Sequence, residues 1–292
     1  MRIAIVGLGG VGGYITAMLS KSGTSVVGFA RGKHLKKIQQ DGLKIIEDKS
    51  SWHANIDARE LDKADGYFDI VLFCVKSYDL KDAYTKISSH IDSSTTLLSL
   101  ANGVSNGDEL RKLSDSIVLD GAVYILSHIQ EHGVIRKKGK VFATVFGGDK
   151  KATQTLKEIF EKANLRTKIP DDIKTAIWKK YIFISAFATL TSYYDKSIGF
   201  VYEHHKDKAK SILTEIAKVA QAKGIEIFDE IDKSLDVASK VPYDSSTSMH
   251  LDFQNNKKTE VESLTGYIVK EAKKYDIKTP LMLEIYNYLQ AL

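Results

Sequence analysis

Met1-Arg2-Ile3-Ala4-Ile5-Val6-Gly7-Leu8-Gly9-Gly10-Val11-Gly12 is the stretch whose reading decides the fold. An apolar run rich in β-branched residues, Ile3 to Val6, stops at a glycine. Glycines then fall at Gly7, Gly9 and Gly12, the G-x-G-x-x-G spacing, and apolar residues follow at helical intervals: Val11, Ile15, Met18 and Leu19. Strand, tight turn and helix in that order are the setting of a dinucleotide-binding loop. Gly7 permits the turn, Gly9 lets the backbone approach a pyrophosphate, and Gly12 lets the helix sit close to the sheet. The helix N-terminus offers free N–H groups and positive dipole to the phosphates. On this reading Gly7, Leu8, Gly9, Gly10, Val11 and Gly12 form the cofactor loop. The competing reading is a glycine-rich turn with no ligand, and the buried-type strand directly before it weighs against that.

Outward from the loop, Ser25 to Ala30 reads as a second strand with Arg31 at its end. An NAD-binding chain places Asp or Glu about here, to hold the ribose 2′-hydroxyl. This chain has Phe29-Ala30-Arg31-Gly32-Lys33 instead. A carboxylate would repel a 2′-phosphate, whereas a guanidinium pairs with it through two hydrogen bonds. NADP is favoured over NAD, the alternative being that Arg31 and Lys33 are solvated loop charges. Asp69 to Val75 and Thr95 to Leu100 are further buried-type strands. Ligands of an open α/β sheet sit outside the carboxyl ends of its strands, and Lys76 and Asn102 each come just past such an end. Asn102-Gly103 is also a common turn pair.

The remaining first half keeps the alternating pattern. Leu43–Glu47 and Trp52–Ile56 suggest a small ribbon. Ile117–Leu126, Gly133–Arg136 and Lys140–Gly147 read as strands with a turn at Lys138-Gly139, followed by a helix at Lys151–Ala163 and a short strand at Arg166–Ile169. The pattern changes at Pro170-Asp171-Asp172, beyond which only helical periodicity continues. A long helix from Asp172 is followed by helices at Lys206–Lys223, Asp229–Lys240, Ser246–Asn255, Thr259–Lys274 and Pro280–Leu289. The predicted fold is α/β: an N-terminal Rossmann-type domain over residues 1–168, then an all-α domain over 169–292. Such a pair is expected to leave a cleft where a substrate meets a nicotinamide.

Composition narrows the function classes. With 292 residues, 43% hydrophobic and 27% charged, the chain has the make-up of a globular protein with a sizeable core. The net charge of +5 is spread along the sequence, which suits anionic small molecules and gives no support to nucleic-acid binding. The single cysteine, Cys74, lies in a buried-type strand, so no intramolecular disulfide forms and a reducing compartment fits. No signal peptide precedes the first strand, and the apolar run Tyr181–Leu190 is too short to span a bilayer. A cytoplasmic enzyme is expected, with no membrane partner and with helical surface available for a homodimer.

Hydride transfer to a carbonyl needs a group that protonates the developing alkoxide. Candidates in the helical half are Lys179, Lys180, His204, His205, His250, Tyr193 and Tyr194. No histidine, cysteine or acid set stands at metal-ligand spacing. Lys180 shares a helical face with Ala176, Phe183, Ile184 and Phe187, where burial would lower its pKa. Spacing alone equally allows it to snorkel to water.

Several blocks taken in order give a further reading: Gly7-Leu8-Gly9-Gly10-Val11-Gly12, Val75-Lys76-Ser77-Tyr78, Asn102-Gly103-Val104, Ile177-Trp178-Lys179-Lys180, Thr247-Ser248-Met249, Lys258-Thr259-Glu260-Val261 and Lys278-Thr279-Pro280. Over nearly its whole length the chain resembles the ketopantoate reductases (2-dehydropantoate 2-reductases). The resemblance implies that Lys180 is the general acid in reduction of a ketone by NADPH. It implies that Glu260 binds cofactor or substrate hydroxyls and orders the site, and that Ser248 binds the substrate carboxylate. Lys76 and Asn102 fall on cofactor-contacting positions, Asn102 also near the substrate, and Ser127 falls on a further cofactor contact. The family carries asparagines one and two turns after the lysine and another before the glycine that closes this stretch. Here those positions are Ile184, Ala188 and Ile198. A site that has lost amides for a substrate hydroxyl changes its specificity. Three readings follow: reduction of 2-dehydropantoate in pantothenate and coenzyme A synthesis, reduction of a more apolar 2-oxo acid or an opine-type reaction, and a catalytically silent NADP-binding sensor.

Overall fold

Ile3–Val6 forms β1, and all four of its residues are buried. The computed structural model describes residues 1–292. Contacts divide the chain into two units, one comprising Met1–Ala101 and Ser105–Ile173, the other Asn102–Val104 and Lys174–Leu292.

The first unit continues with α1 (Gly10–Lys21), β2 (Val26–Phe29), α2 (Gly32–Asp41), β3 (Leu43–Ile46), β4 (Ser51–Ala54), β5 (Asp57–Arg59) and β6 (Ile70–Phe73). Then come α3 (Leu80–Ile87), β7 (Thr96–Ser99), α4 (Asn106–Leu113), β8 (Ile117–Glu131), β9 (Val134–Gly147), α5 (Lys150–Lys162) and β10 (Thr167–Lys168). The strand order β5-β2-β1-β6-β7-β8, parallel throughout, is that of a doubly wound dinucleotide-binding sheet. The order reverses between β1 and β6, so the loops after these two strands flank the switch point. Period-two alternation builds both faces. Ile3 and Ile5 of β1 pack with Ile15 and Leu19 of α1, while Ala4 and Val6 pack with Leu80 and Ala83 of α3.

The far edge departs from the sequence reading. β8 and β9 form one long antiparallel hairpin that turns at His132-Gly133, not at Lys138-Gly139. Gly133 takes φ +80°, the left-handed conformation such a turn needs. The Lys138-Gly139 pair instead marks a register shift inside the hairpin, where pairing jumps from Ile125–Phe142 to Leu126–Lys138. The ribbon of β3 and β4 joins this sheet through β3 and β9.

The second unit is helical: α6 (Ile173–Tyr194), α7 (Ile198–His204), α8 (Lys206–Ala222), α9 (Glu230–Lys240), α10 (Ser248–Gln254), α11 (Tyr267–Lys274) and α12 (Pro280–Gln290), with a π-turn at Glu262–Gly266 ahead of α11. Trp178, Ile182, Phe187 and Leu190 of α6 lie in one core with Leu213 and Ile216 of α8 and Ile285 of α12. Pro280 opens α12, and the buried Glu215 carboxylate accepts the N–H groups of Leu281 and Met282 at 3.1 and 2.8 Å. The short α7 was not anticipated. Asp195 ends α6 in the left-handed region (φ +51°), and Ser197 caps α7 by accepting the Phe200 N–H. No helix is long and apolar enough to cross a membrane.

Candidate active site

The glycine loop is built by two kinds of constraint. Gly7 has φ +101°, and a Cβ there would stand 3.0 Å from the Cys74 carbonyl. A Cβ at Gly12 would overlap the Gly7 carbonyl oxygen. Both glycines are therefore demanded by the protein's own packing. Gly9 is different: a Cβ there would meet nothing within 4 Å. The space beside it is open, which is what close approach of a phosphate to the backbone requires. Gly9 is also the N-cap of α1 and supplies no capping side chain, leaving first-turn N–H groups for an anion.

Ser127 stands beside this loop, since a Cβ at Gly10 would lie 2.5 Å from the Ser127 carbonyl oxygen. Its hydroxyl is buried without a hydrogen-bond partner. The open space at Gly9 and the uncapped first turn of α1 fit a bound pyrophosphate. Across the hairpin from Ser127 lies the buried Lys137, whose ammonium donates to the Gly139 carbonyl at 2.7 Å. Arg31 caps α2 from the end of β2 with its side chain 87% exposed, and its guanidinium stands 3.7 Å from Asp79. Such an exposed pair is weak and leaves the guanidinium available. Lys76 lies just past β6, capping a single 3₁₀ turn at Ser77–Asp79. Burial pushes the Cys74 thiol up to about 12, so it is inert as a nucleophile.

In the helical unit, Lys180 Nζ donates to Asn102 Oδ1 at 3.1 Å. The loop Asn102–Val104 belongs to this unit by its contacts, although it follows β7 in sequence. Glu260 is 1% exposed, and its charge acts on Lys180. Desolvation lowers the Lys180 pKa from 10.5 to about 8, against an opposing pull from Glu260. Part of the Lys180 side chain still reaches the surface, so the ammonium is desolvated without being sealed. Lys179, one residue earlier, points elsewhere, 3.5 Å from Glu230 and 4.0 Å from Asp229.

The other sequence candidates separate from this cluster. Tyr193 and Tyr194 end α6, about 20 Å along the helix axis from Lys180. Tyr194 stacks on His205 at 3.8 Å between ring centroids, and His204 is exposed. His250 is buried between Ser246 and Asp195, at 2.7 Å from each. Ser248 opens α10 with its side chain exposed. Its neighbour Thr247 bonds Thr191, about three turns along α6 from Lys180. Of the three positions where amides were expected, Ala188 and Ile198 are buried in the core, and Ile184 alone stays partly exposed, one turn from Lys180. Ser185, Thr189 and Thr191 do not stand in for those amides. Ser185 donates to the Leu264 carbonyl, Thr189 bonds Thr265, and Thr191 bonds the Phe187 carbonyl and Thr247.

Comparison with known proteins shows the family. The family model described as ketopantoate reductase PanE/ApbA matches residues 3–150, and its C-terminal counterpart matches residues 172–292. The chain belongs to the ketopantoate reductase family. Among its relatives is an uncharacterized oxidoreductase, YkpB, of Bacillus subtilis, 27% identical with 99% of this chain and 98% of that protein covered. A PanE/ApbA family ketopantoate reductase from Ralstonia eutropha superposes with a TM-score of 0.93 at 27% identity, covering 100% of this chain and 98% of the other. A 2-dehydropantoate 2-reductase from Porphyromonas gingivalis superposes with a TM-score of 0.86 at 30% identity, covering 99% of each. This ketopantoate reductase family member is thus an oxidoreductase with a dinucleotide-binding Rossmann unit.

Proposed function

We propose that this chain reduces a 2-oxo acid with NADPH, 2-dehydropantoate to pantoate in pantothenate and coenzyme A synthesis being the best single assignment. The observation that carries it is the Lys180 ammonium, held on Asn102 under the charge of a buried Glu260, with a pKa brought down to about 8. An ammonium so tuned is still protonated at neutral pH and gives up its proton readily. NADPH, when bound, supplies the hydride. Gly9 and the first turn of α1 hold its pyrophosphate, Arg31 its 2′-phosphate, and Lys76, Asn102 and Ser127 make the further contacts. Lys180 Nζ then transfers its proton to the substrate oxygen, so the C=O becomes a C–OH and the lysine is left neutral. Glu260 keeps the lysine oriented, while Ser248, to which the resemblance gives the substrate carboxylate, opens α10 about three turns along α6 from Lys180 and is left out of this step.

A second reading is favoured by Ile184, the partly exposed apolar side chain one turn from Lys180. An apolar wall there suits a 2-oxo acid with a branched or aryl side chain better than one with a hydroxyl to bond. Steady-state oxidation of NADPH and of NADH with 2-dehydropantoate and a panel of branched and aryl 2-oxo acids decides between them. The highest kcat/KM is expected with NADPH, and the best acid identifies the substrate. Absence of turnover with every acid would favour a silent NADP-binding sensor.

A further inference from the structure

Tyr181, Ser185 and Thr189 recur every fourth residue, so they line one face of α6. That face is core: Tyr181 is 2% exposed, and Ser185 and Thr189 are both fully buried. Three hydroxyls inside an apolar core are costly unless each finds a partner. All three find it on one short segment. Tyr181 donates to the Leu264 carbonyl at 2.6 Å and also reaches the Ser263 carbonyl at 3.2 Å. Ser185 donates to the same Leu264 carbonyl at 2.9 Å, and Thr189 shares a hydrogen bond with Thr265 at 2.7 Å.

That segment is the π-turn Glu262–Gly266. A π-turn inserts one residue into the helical register, and a carbonyl at the insertion needs a partner from outside the helix. The Leu264 carbonyl receives two such partners. The Leu264 N–H, at the other end of the same residue, donates to the Glu260 carbonyl at 3.0 Å. The Ser263 N–H and hydroxyl donate there as well, each at 3.1 Å. Hydrogen bonds through Ser263 and Leu264 therefore join α6 to the backbone of Glu260. Lys180 stands on α6 immediately before the first hydroxyl of the stripe.

We propose that Tyr181, Ser185 and Thr189 are positioning residues, which lock the π-turn so that the Glu260 carboxylate is held against Lys180. The inference rests on the roles of Lys180 and Glu260 proposed above. Its physical content is registration: α6 carries the proton donor, the π-turn carries the acid beside it, and the hydroxyl stripe fixes one against the other. Among the groups that act on Lys180 are the Glu260 carboxylate and the Asn102 amide. Loosening the π-turn weakens the attraction of Glu260, which lowers the pH at which Lys180 loses its proton.

The test uses the full chain with its best 2-oxo acid and NADPH. Ser185→Ala, Thr189→Val and the double variant Tyr181→Phe/Ser185→Ala are expected to lower kcat at pH 7 by about tenfold. They are also expected to move the alkaline limb of the kcat profile to lower pH by about half a unit or more, with the KM for NADPH unchanged. Ser185→Thr, which keeps the hydroxyl, restores both. If the double variant does not fold, the two single variants and the threonine rescue decide. Wild-type kcat and an unmoved alkaline limb in Ser185→Ala and Thr189→Val would overturn the positioning role, even with a lowered melting temperature. Lys180→Ala and Glu260→Gln are measured alongside. If these keep full turnover, the site assignment itself fails. If they lose turnover while the hydroxyl variants keep it, only the positioning role fails.

Discussion

Lys179 and Lys180 differ by one residue of helical rotation, and that rotation separates a surface ion pair from a desolvated ammonium. Lys179→Ala is expected to leave kcat within about twofold, because exposed pairs contribute little. Lys180→Ala is expected to lower kcat by about a hundredfold or more, the usual cost of removing a general acid. Near-normal turnover of Lys180→Ala would remove the lysine from the mechanism. The pKa of about 8 also fixes the shape of the pH profile. The protonated form is the proton donor, so reduction should fall as pH rises through about 8 and stay flat on the alkaline side in Lys180→Ala. For stability the sign runs the other way. The folded pKa lies below the unfolded value of 10.5, so between about 8 and 10.5 the unfolded chain binds more protons. The penalty of burying this ammonium is present below about pH 8 and is relieved as pH rises through that window.

Among the elements, the β1–loop–α1 unit separates glycines that serve folding from one that serves a ligand. Gly12→Ala would force a methyl into the Gly7 carbonyl and should destabilise the protein by about 3 kcal/mol or more. Gly9→Ala has open space and an extended backbone (φ −71°, ψ −164°), so its folding cost should stay within about 1 kcal/mol, the loss from a poorer N-cap. The same methyl occupies the approach of the pyrophosphate, so NADPH binding should weaken by tenfold or more by fluorescence titration, a cost of about 1.4 kcal/mol. Unchanged NADPH affinity in a well-folded Gly9→Ala would take the phosphate away from this loop. The glycine spacing, the buried strands and the amphipathic helices were legible in sequence because each repeats a period or a fixed offset. The hairpin turn at Gly133 was not, since Lys138-Gly139 carries an equally good local turn signal and only the long-range pairing of β8 with β9 separates the two. The π-turn was not legible either. The α6 hydroxyls that bond it lie more than seventy residues away in sequence, so no local pattern announces it. Asn102 shows the same limit, because its place at the end of β7 was readable but its bond to Lys180 belongs to the fold.

At the scale of the whole molecule, each unit buries its own core: β1, β6 and the helices beside them in the first, α6, α8 and α12 in the second. Two separate cores mean that unfolding need not be a single two-state event. A ligand that binds only one of them then stabilises that one. At a hundredfold excess over Kd, NADPH contributes about 2.7 kcal/mol to whatever it binds. The glycine loop, Arg31 and Lys76 all belong to the first unit, so binding there should slow amide exchange most at Gly7–Tyr14 and around Arg31. Exchange in the core of the first unit should slow by up to the same 2.7 kcal/mol, about a hundredfold. In the second unit, protection should rise at Asn102–Val104, the proposed contact there, and little in α8 or α12. Hydrogen exchange followed by mass spectrometry, with and without NADPH, reads this directly. Protection confined to residues 174–292 would place the dinucleotide in the helical unit and overturn the assignment of the loop. Equal protection by NADH at the same concentration would leave the loop assigned and remove Arg31 as the residue that selects the 2′-phosphate.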